Sequence, residues 1–453
     1  MSHAWWRRDM RLAAENERSA AMRGRPMPSG PVAIITSNFW PEPTGISQTV
    51  TEFARFLADR NIDVRVATAM PYYPQWRIWP NYRGLLRLSE RHQGCSILRS
   101  WHYARPKPST RARLLHEATL SLFAVPNMFR TLRGARVAYV VSPALSYAVI
   151  GLVIAALLRI ERVLIVKDVM PDAAIELGML RNPLVVAVTR WLARRAYALA
   201  GEIHTLGEGM RRRISRETGP LKPIRIVPDT VDMEELRPVP REDNEFRRRF
   251  IPDQMFAVLH TGNMGRKQDL GLLLRAAARL RDDPRVHFFV VGDGAAKDEF
   301  LRSREELGLS NVSHHPLQER WMLPHMLSGA DVVLVSQLAE VVDIVMPSKL
   351  ITSLAAGAMI VATCSPDSET ARLVKLSGGG VAVAAGDDAA LVDAINGIRR
   401  GEVDVAGCRE RGRTFAEKAF KRDSVYGQLV DELLRKWDAE ARSTEVARER
   451  SRA

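Results

Sequence analysis

Short apolar runs recur along nearly the whole chain, each separated from the next by a segment of helical periodicity. In the first half they are Val32-Ala33-Ile34-Ile35-Thr36, Asp63–Thr68, Val137–Val141, Val163–Val166 and Ile203–Thr205. In the second half they are Ala257–His260, His287–Val291, Asn311–His315, Val332–Val335, Met359–Thr363 and Gly380–Val383. Strands of this kind are buried on both faces, which happens in parallel sheets covered by helices. The pattern predicts an α/β chain with a doubly wound sheet formed twice.

A length of 453 residues suits two domains. A basic stretch, residues 1–30, ends in Pro/Gly/Ser and reads as a flexible arm. Residues 31–222 form a first doubly wound domain and residues 223–410 a second, with the boundary near the polar stretch Pro238–Asn244. Two such domains in tandem are expected to face each other across their switch-point crevices. Residues 411–440 read as an amphipathic helical region packing back on the first domain, and the charged 441–453 as a disordered tail.

The densest cluster of special residues is Val341-Val342-Asp343-Ile344-Val345-Met346-Pro347-Ser348-Lys349-Leu350-Ile351-Thr352, running on to Ala355-Ala356-Gly357. A loop enters a helix near Pro347, the helix stops at Gly357, and an apolar strand follows. This order sets a helix N-terminus at the carboxyl edge of a parallel sheet, where free N–H groups and the dipole attract phosphate. Ser348 adds a hydroxyl and Lys349 a point charge. An ordinary αβ unit with no ligand explains the same pattern.

The net charge of +14 is concentrated locally. Residues 77–113 carry nine Lys or Arg against the single acid Glu90. Tyr72, Tyr73, Trp76, Trp79, Tyr82, Trp101 and Tyr103 are interleaved with them. Basic and interfacial aromatic side chains suit an anionic membrane surface. They also suit nucleic acid, but no zinc-finger, RRM or basic-zipper pattern accompanies them, so the membrane ranks first. A solvated basic face with core aromatics fits equally well. Cys95, Cys364 and Cys408 have no metal-ligand spacing and no disulfide framework, which suits a reducing compartment. The longest apolar run, Tyr147–Leu158, is too short to span a bilayer, and the N-terminus lacks an apolar signal core. The expected location is cytoplasmic, peripheral on the inner face of the plasma membrane.

Two strand-to-helix loops are glycine-bearing: Phe39-Trp40-Pro41-Glu42-Pro43-Thr44-Gly45-Ile46 and Gly262-Asn263-Met264-Gly265-Arg266-Lys267-Gln268. Glycine at such a turn lets a ligand approach the backbone closely. Neither loop is a GxGxxG fingerprint, which lowers the odds of a nicotinamide enzyme. Lys167-Asp168-Val169-Met170-Pro171-Asp172 follows a strand, and Val290-Val291-Gly292-Asp293-Gly294 ends one.

In this order and spacing, the motifs over residues 31–435 resemble the retaining glycosyltransferases of family 4, with the GT-B fold. They resemble most the bacterial exopolysaccharide and O-antigen transferases, the group that includes colanic-acid fucosyl- and N-acetylfucosaminyl-type enzymes. The resemblance implies a hexosyltransferase-type enzyme, two facing Rossmann-like domains and a C-terminal crossover helix. It implies donor contacts at Gly45, Ile46, Gly262, Asn263, Gly265, Gly292, Gly294, Leu317, Ser348, Leu350 and Thr352. It assigns charge stabilisation of the leaving diphosphate to Arg266, Lys267 and Lys349, and a hydroxyl or acceptor contact to Asp168; a helix-capping role explains Asp168 equally well. The sequence departs from the family in four places. Thr44 replaces a glycine, Lys167 stands where many members have histidine, Asn263 stands where an arginine is usual, and Ile344 and Thr352 occupy the positions of two glutamates.

The implied reaction moves a sugar from a UDP- or GDP-sugar to an acceptor hydroxyl with retained configuration. It needs no metal or other cofactor, since cations take the metal's place. The implied acceptor is a saccharide on a polyprenyl diphosphate, held at the inner-membrane surface near Trp76, Arg105, Lys107, Arg111 and Arg113; nucleic acid is not an expected partner. A nucleotide-sugar 2-epimerase shares the architecture, but needs carboxylates and histidines converging on C2, a set the sequence does not display. A catalytically degenerate nucleotide-sugar-binding protein is the third reading.

Overall fold

A computed structural model describes residues 30–43, 45–106, 109–172, 175, 182–265, 268–340 and 348–450. The chain divides into two compact units. One comprises the chain up to Tyr139, Ile154–Glu161 and the chain from Arg422 onward; the other comprises Val140–Val153 and Arg162–Lys421.

The chain opens with β1 (Val32–Ile35), α1 (Ile46–Ala58) and β2 (Val64–Ala69). An antiparallel hairpin of β3 (Arg87–His92) and β4 (Cys95–Ser100) follows, then α2 (Thr110–Leu132). Next come β5 (Val137–Ser142), α3 (Leu145–Leu157), β6 (Glu161–Val166), α4 (Pro183–Leu199), β7 (Glu202–Thr205), α5 (Glu208–Thr218) and β8 (Ile224–Ile226). These strands make an eight-stranded sheet in the order β3-β4-β2-β1-β5-β6-β7-β8. Every residue of β1 is buried, as its unbroken apolar run requires, whereas β3 at the sheet edge alternates between exposed and half-buried positions.

The second sheet is built from β9 (Phe256–Asn263), β10 (Val286–Asp293), β11 (Val312–His315), β12 (Val332–Ser336), β13 (Ile360–Cys364) and β14 (Gly380–Ala384), in the order β11-β10-β9-β12-β13-β14. Its pairings are parallel, with Val290 opposite His260 and Val361 opposite Leu334. Between the strands, α6 (Glu245–Phe250) precedes β9, and α7 (Leu270–Arg279), α8 (Lys297–Glu306) and α9 (Met322–Gly329) follow in turn. After β12 come α10 (Ser348–Ala355), α11 (Glu369–Ser377) and α12 (Asp388–Arg399). The helix α7 shows why these segments are helical. Leu270, Leu273, Leu274 and Ala277 recur at i, i+3, i+4 and i+7 and are all buried. Asp269 caps the helix by accepting from Leu272 N at 2.9 Å. Each leucine buried this way contributes about 2 kcal/mol. Among the described residues no helix is long and apolar enough to cross a membrane.

Three boundaries differ from the sequence pattern. The strand Ile224–Ile226, counted with the second domain, pairs with β7 in the first sheet. The helical region predicted to start at residue 411 is two helices, α13 (Val405–Phe420) and α14 (Arg422–Arg450), parted at the extended Lys421, which bridges to Val231. The stretch 441–450, read as disordered, continues α14, because it is rich in Ala, Glu and Arg and contains neither Gly nor Pro. Packing of α14 on α1 places the Tyr426 ring 5.1 Å from Phe53 and 5.5 Å from Phe56. Trp437 is buried beneath the Arg136 guanidinium.

Candidate active site

The order of the second sheet creates a switch point. From β9 the chain steps to β10 and β11 on one side, then crosses to β12 on the other. Ligands of doubly wound sheets bind outside the carboxyl ends of the strands at such a point. Here the end of β9 supplies Gly262 and Asn263, and α10, the helix after β12, supplies Lys349.

Lys349 reaches across the switch point. Its Nζ lies 3.2 Å from His260 Nε2 and 3.2 Å from the Asn263 carbonyl oxygen, and it donates to Gln268 Oε1. Burial lowers its pKa to about 7. His260 is fully buried on β9, and burial together with the Lys349 charge holds its pKa well below the usual imidazole value. Gly262 has a φ of +100°, and a Cβ there would sit 3.2 Å from Lys349 Cε, so glycine leaves the lysine its path.

The glycines at the end of β10 are required by the packing of the strand ends. A Cβ on Gly292 would lie 1.9 Å from the Gly262 carbonyl oxygen, and one on Gly294 would lie 2.5 Å from that of Met264. Both are glycine so that two backbone segments can touch. Gly265 is tight against Asn263, whose Nδ2 would be 2.9 Å from a Cβ. The strand ends and the loop thus form one closely packed rim.

Along α10, Ser348 is exposed at the first helical position. Leu350 is fully buried, so its side chain belongs to the core, leaving only its backbone for a donor contact. Thr352 Oγ1 donates back to the Ser348 and Lys349 carbonyls, at 3.1 and 3.0 Å, which leaves its oxygen as an acceptor for at most one further contact. Leu317 is 66% exposed on the segment after β11. Arg266, Lys267 and the loop 341–347 lie outside the described residues.

In the first unit, Gly45 has φ +65° and ψ −141° at the start of α1, a conformation that favours glycine. The N-cap glycine has no side chain to cap this helix, so no N-cap side chain takes up its first N–H groups. The loop before it is held by Glu42, whose carboxylate accepts from Tyr72 N, Tyr73 N and Asn38 Nδ2, each at 2.8 Å. In the other unit, Lys167 forms an ion pair with Asp229, so it has a structural partner where a histidine is usual. Asp168 is half-buried just beyond β6.

The basic aromatic segment is partly interior. Arg99 is fully buried, paired with Glu90 and donating to the Ala69 and Trp40 carbonyls. Tyr72 is buried, and half-buried Trp76 packs against Tyr72 and His116 with ring centroids 5.6 and 5.2 Å away. These residues therefore do not form an outward aromatic belt. Arg105, Arg111 and Arg113 are exposed, and Lys107 lies outside the described residues.

Sequence comparison decides the family. Residues 44–230 match the glycosyl transferase 4-like domain, and residues 256–399 match the glycosyl transferases group 1. WcaI of Escherichia coli (strain K12), named as a glycosyl transferase of colanic acid biosynthesis, is 30% identical over 421 residues, covering 89% of this chain and 99% of that protein. The chain belongs to this glycosyltransferase family.

The fold agrees. Anabaena Alr3699/HepE, solved in complex with UDP, superposes with a TM-score of 0.67 at 15% identity, covering 89% of the glycosyltransferase and 99% of HepE. WaaG, a glycosyltransferase involved in lipopolysaccharide biosynthesis, gives a TM-score of 0.62 at 16% identity, covering 88% and 98%. At those identities the likeness is one of fold. The matched region 256–399 contains the whole Lys349 cluster. Two of its members, His260 and Gln268, escape sequence reasoning as site residues. The only signal for His260 is a single imidazole interrupting the apolar run Val258-Leu259, beside a glycine loop.

Proposed function

We propose that this hexosyltransferase-type enzyme transfers a sugar from a nucleotide diphosphate sugar to a hydroxyl of a lipid-linked saccharide, with retained configuration, in exopolysaccharide or O-antigen assembly. The observation that carries the reading is Lys349, a lysine brought to the switch point and surrounded by neutral acceptors. Such a site suits an anionic leaving group. UDP bound to the similarly folded HepE supports a uridine donor as the first to try.

In this reading the acceptor oxygen attacks the anomeric carbon on the face that the diphosphate leaves. The C–O bond to the acceptor forms as the bond to the diphosphate oxygen breaks, and the acceptor proton passes to that leaving oxygen. No enzymic nucleophile is required. Lys349, the loop cations Arg266 and Lys267, and the N–H groups opening α10 neutralise the developing charge, in place of a metal. Positioning supplies the rest.

The lipid-linked acceptor implies a membrane surface, and α2 provides a suitable one. Leu114, Leu115, Leu122, Val125 and Phe129 are exposed along one side of that helix, Leu122 by 69%. Arg111 and Arg113 flank the stripe at one end, Arg130 and Arg133 at the other, and all four are exposed. An outward apolar stripe with arginines at its ends fits an anionic bilayer interface. The expectation is that wild type floats with phosphatidylglycerol vesicles and that a Leu122→Glu/Phe129→Glu variant does not. Equal flotation would remove the membrane from the reading.

The transfer itself is tested with UDP- and GDP-sugars by thermal shift and by release of nucleotide diphosphate in the presence of a lipid-linked acceptor. Lys349→Ala should lower kcat/KM by about 10²–10³. If no nucleotide diphosphate stabilised the folded wild type and no sugar were transferred, the reading would be wrong.

A further inference from the structure

Three acceptors converge on Lys349 Nζ. It lies 3.2 Å from His260 Nε2 and 3.2 Å from the Asn263 carbonyl oxygen, and it donates to Gln268 Oε1. A lysine ammonium carries three N–H donors and no acceptor, so two oxygens and one imidazole nitrogen match it donor for donor. With all three spent, the ammonium has no N–H to turn to a diphosphate. The reading of this site as the diphosphate site, on which the inference rests, requires one. One acceptor must therefore give way.

The three differ in freedom. His260 is fully buried on β9 and lies in register with Val290 of β10. The Asn263 carbonyl belongs to the last residue of β9, opposite Asp293, in the rim where Gly292 and Gly294 leave no room for a Cβ. Neither moves without the sheet. Gln268 is half-buried, and its oxygen sits at the end of a flexible side chain. Its backbone is fixed. Gln268 N donates to the Gly265 carbonyl at 3.1 Å, and its own carbonyl accepts from Leu270 N at 2.9 Å. The next residue, Asp269, caps α7. The amide is thus free to swing while the chain around it stays in place.

We propose that Gln268 is a stand-in for the donor: its amide oxygen occupies the place on Lys349 that a diphosphate oxygen takes, and donor binding swings it away. One hydrogen bond replaces another, from the same N–H to a phosphate oxygen instead of an amide oxygen. No covalent bond changes and no proton is transferred. The new contact is charge-assisted on both sides, which favours the exchange. Lys349 keeps His260 and Asn263 throughout and stays aimed at the same point. Gln268 acts as a positioning residue that holds the lysine ready and competes with the ligand for it. Arg266 and Lys267 of the same loop lie outside the described residues and are left unchanged in the test.

The test is calorimetric titration of UDP, and of GDP if UDP gives no heat, into the full chain and its Gln268 variants, each shown to be folded by circular dichroism. Gln268→Ala removes the competing oxygen and should lower Kd by about threefold to tenfold, the worth of one hydrogen bond. Gln268→Met keeps the length of the side chain without the amide oxygen and should shift Kd the same way. Gln268→Glu sets a carboxylate on the ammonium and should raise Kd about tenfold or more. The sign of the first two effects is what discriminates, because a side chain that touched the nucleotide or merely shaped the loop would weaken binding when replaced. Weaker or unchanged binding in folded Gln268→Ala or Gln268→Met overturns the proposal and leaves the diphosphate site standing. Gln268→Glu binding as tightly as wild type does the same. A folded wild type that binds neither nucleotide overturns the site and the proposal together.

Discussion

Glu42 Oε1 accepts the backbone N–H of Tyr72 at 2.8 Å, and the same oxygen accepts that of Tyr73 at 2.8 Å. The loop after β1 is thereby fastened to the loop after β2 through one buried carboxylate. Glu42→Ala would leave two loop N–H groups without their acceptor. Losing such a partner costs about 1–3 kcal/mol per buried group, so a fall in melting temperature of several degrees is expected. Glu42→Gln keeps an oxygen at the position and should lose much less. Equal melting temperatures for the two variants would show that the fastening is unimportant.

Gly45 and Gly292 make opposite predictions. Around Gly45 there is open space, and only its positive φ opposes a side chain. Gly45→Ala should therefore fold, at a cost of about 1–3 kcal/mol, with its effect seen in donor affinity. At Gly292 a Cβ would strike the Gly262 carbonyl. Gly292→Ala should abolish the rim of the site and give little soluble, nucleotide-binding protein. Expression yield and thermal shift with UDP distinguish the two.

Acid stability should depend on a histidine pair in the first unit. His102 Nδ1 lies 3.3 Å from His116 Nδ1, and His102 Nε2 lies 3.0 Å from the Met70 carbonyl oxygen. Burial lowers the His102 pKa to about 4, against the model-peptide value of 6.5. As pH falls through 6.5 the unfolded chain takes up a proton that the folded chain refuses, so stability drops until pH reaches about 4. The loss at the low end is roughly 3 kcal/mol. His102→Gln should be less stable at pH 8 and show a flatter profile between 6.5 and 4. A slope equal to that of wild type would exclude His102 as its source.

Arg99 is expected to matter for folding, not for binding a membrane. It is fully buried and ties Glu90 to the Ala69 and Trp40 carbonyls. Arg99→Leu leaves Glu90 without its cation and should cost about 3 kcal/mol, measured by denaturant unfolding. The Arg111→Gln/Arg113→Gln pair, on the exposed side of α2, should leave unfolding nearly unchanged and weaken vesicle binding.

The strands were legible because a strand buried on both faces writes itself as a continuous apolar run, and β1, β10 and β13 fall within a few residues of those runs. Lys349 and Gly262 were legible because glycine turns and helix starts have local signatures. The partnership of Lys349 with His260 was not, since 89 residues separate them in the chain and strand order alone makes them neighbours. The side on which α2 faces solvent was also hidden. Leu120, Ala124 and Met128 point inward while Leu122 and Phe129 point outward, so periodicity identifies a helix without saying which apolar side is covered. Arg99 counted as a surface cation because its partners come from β3, from the end of β2 and from the loop after β1, which only the folded sheet brings to it.

The return of α14 to α1 has a consequence for the order of synthesis. The first sheet's strands up to β5 leave the ribosome early, yet Phe53 and Phe56 wait for Tyr426, made about 370 residues later, and Arg136 for Trp437, made about 300 residues later. For most of translation the growing polypeptide therefore carries a raw aromatic patch. A chain released early, before residue 422, would end its life with that patch uncovered, a natural mark for disposal by the cell's quality-control machinery.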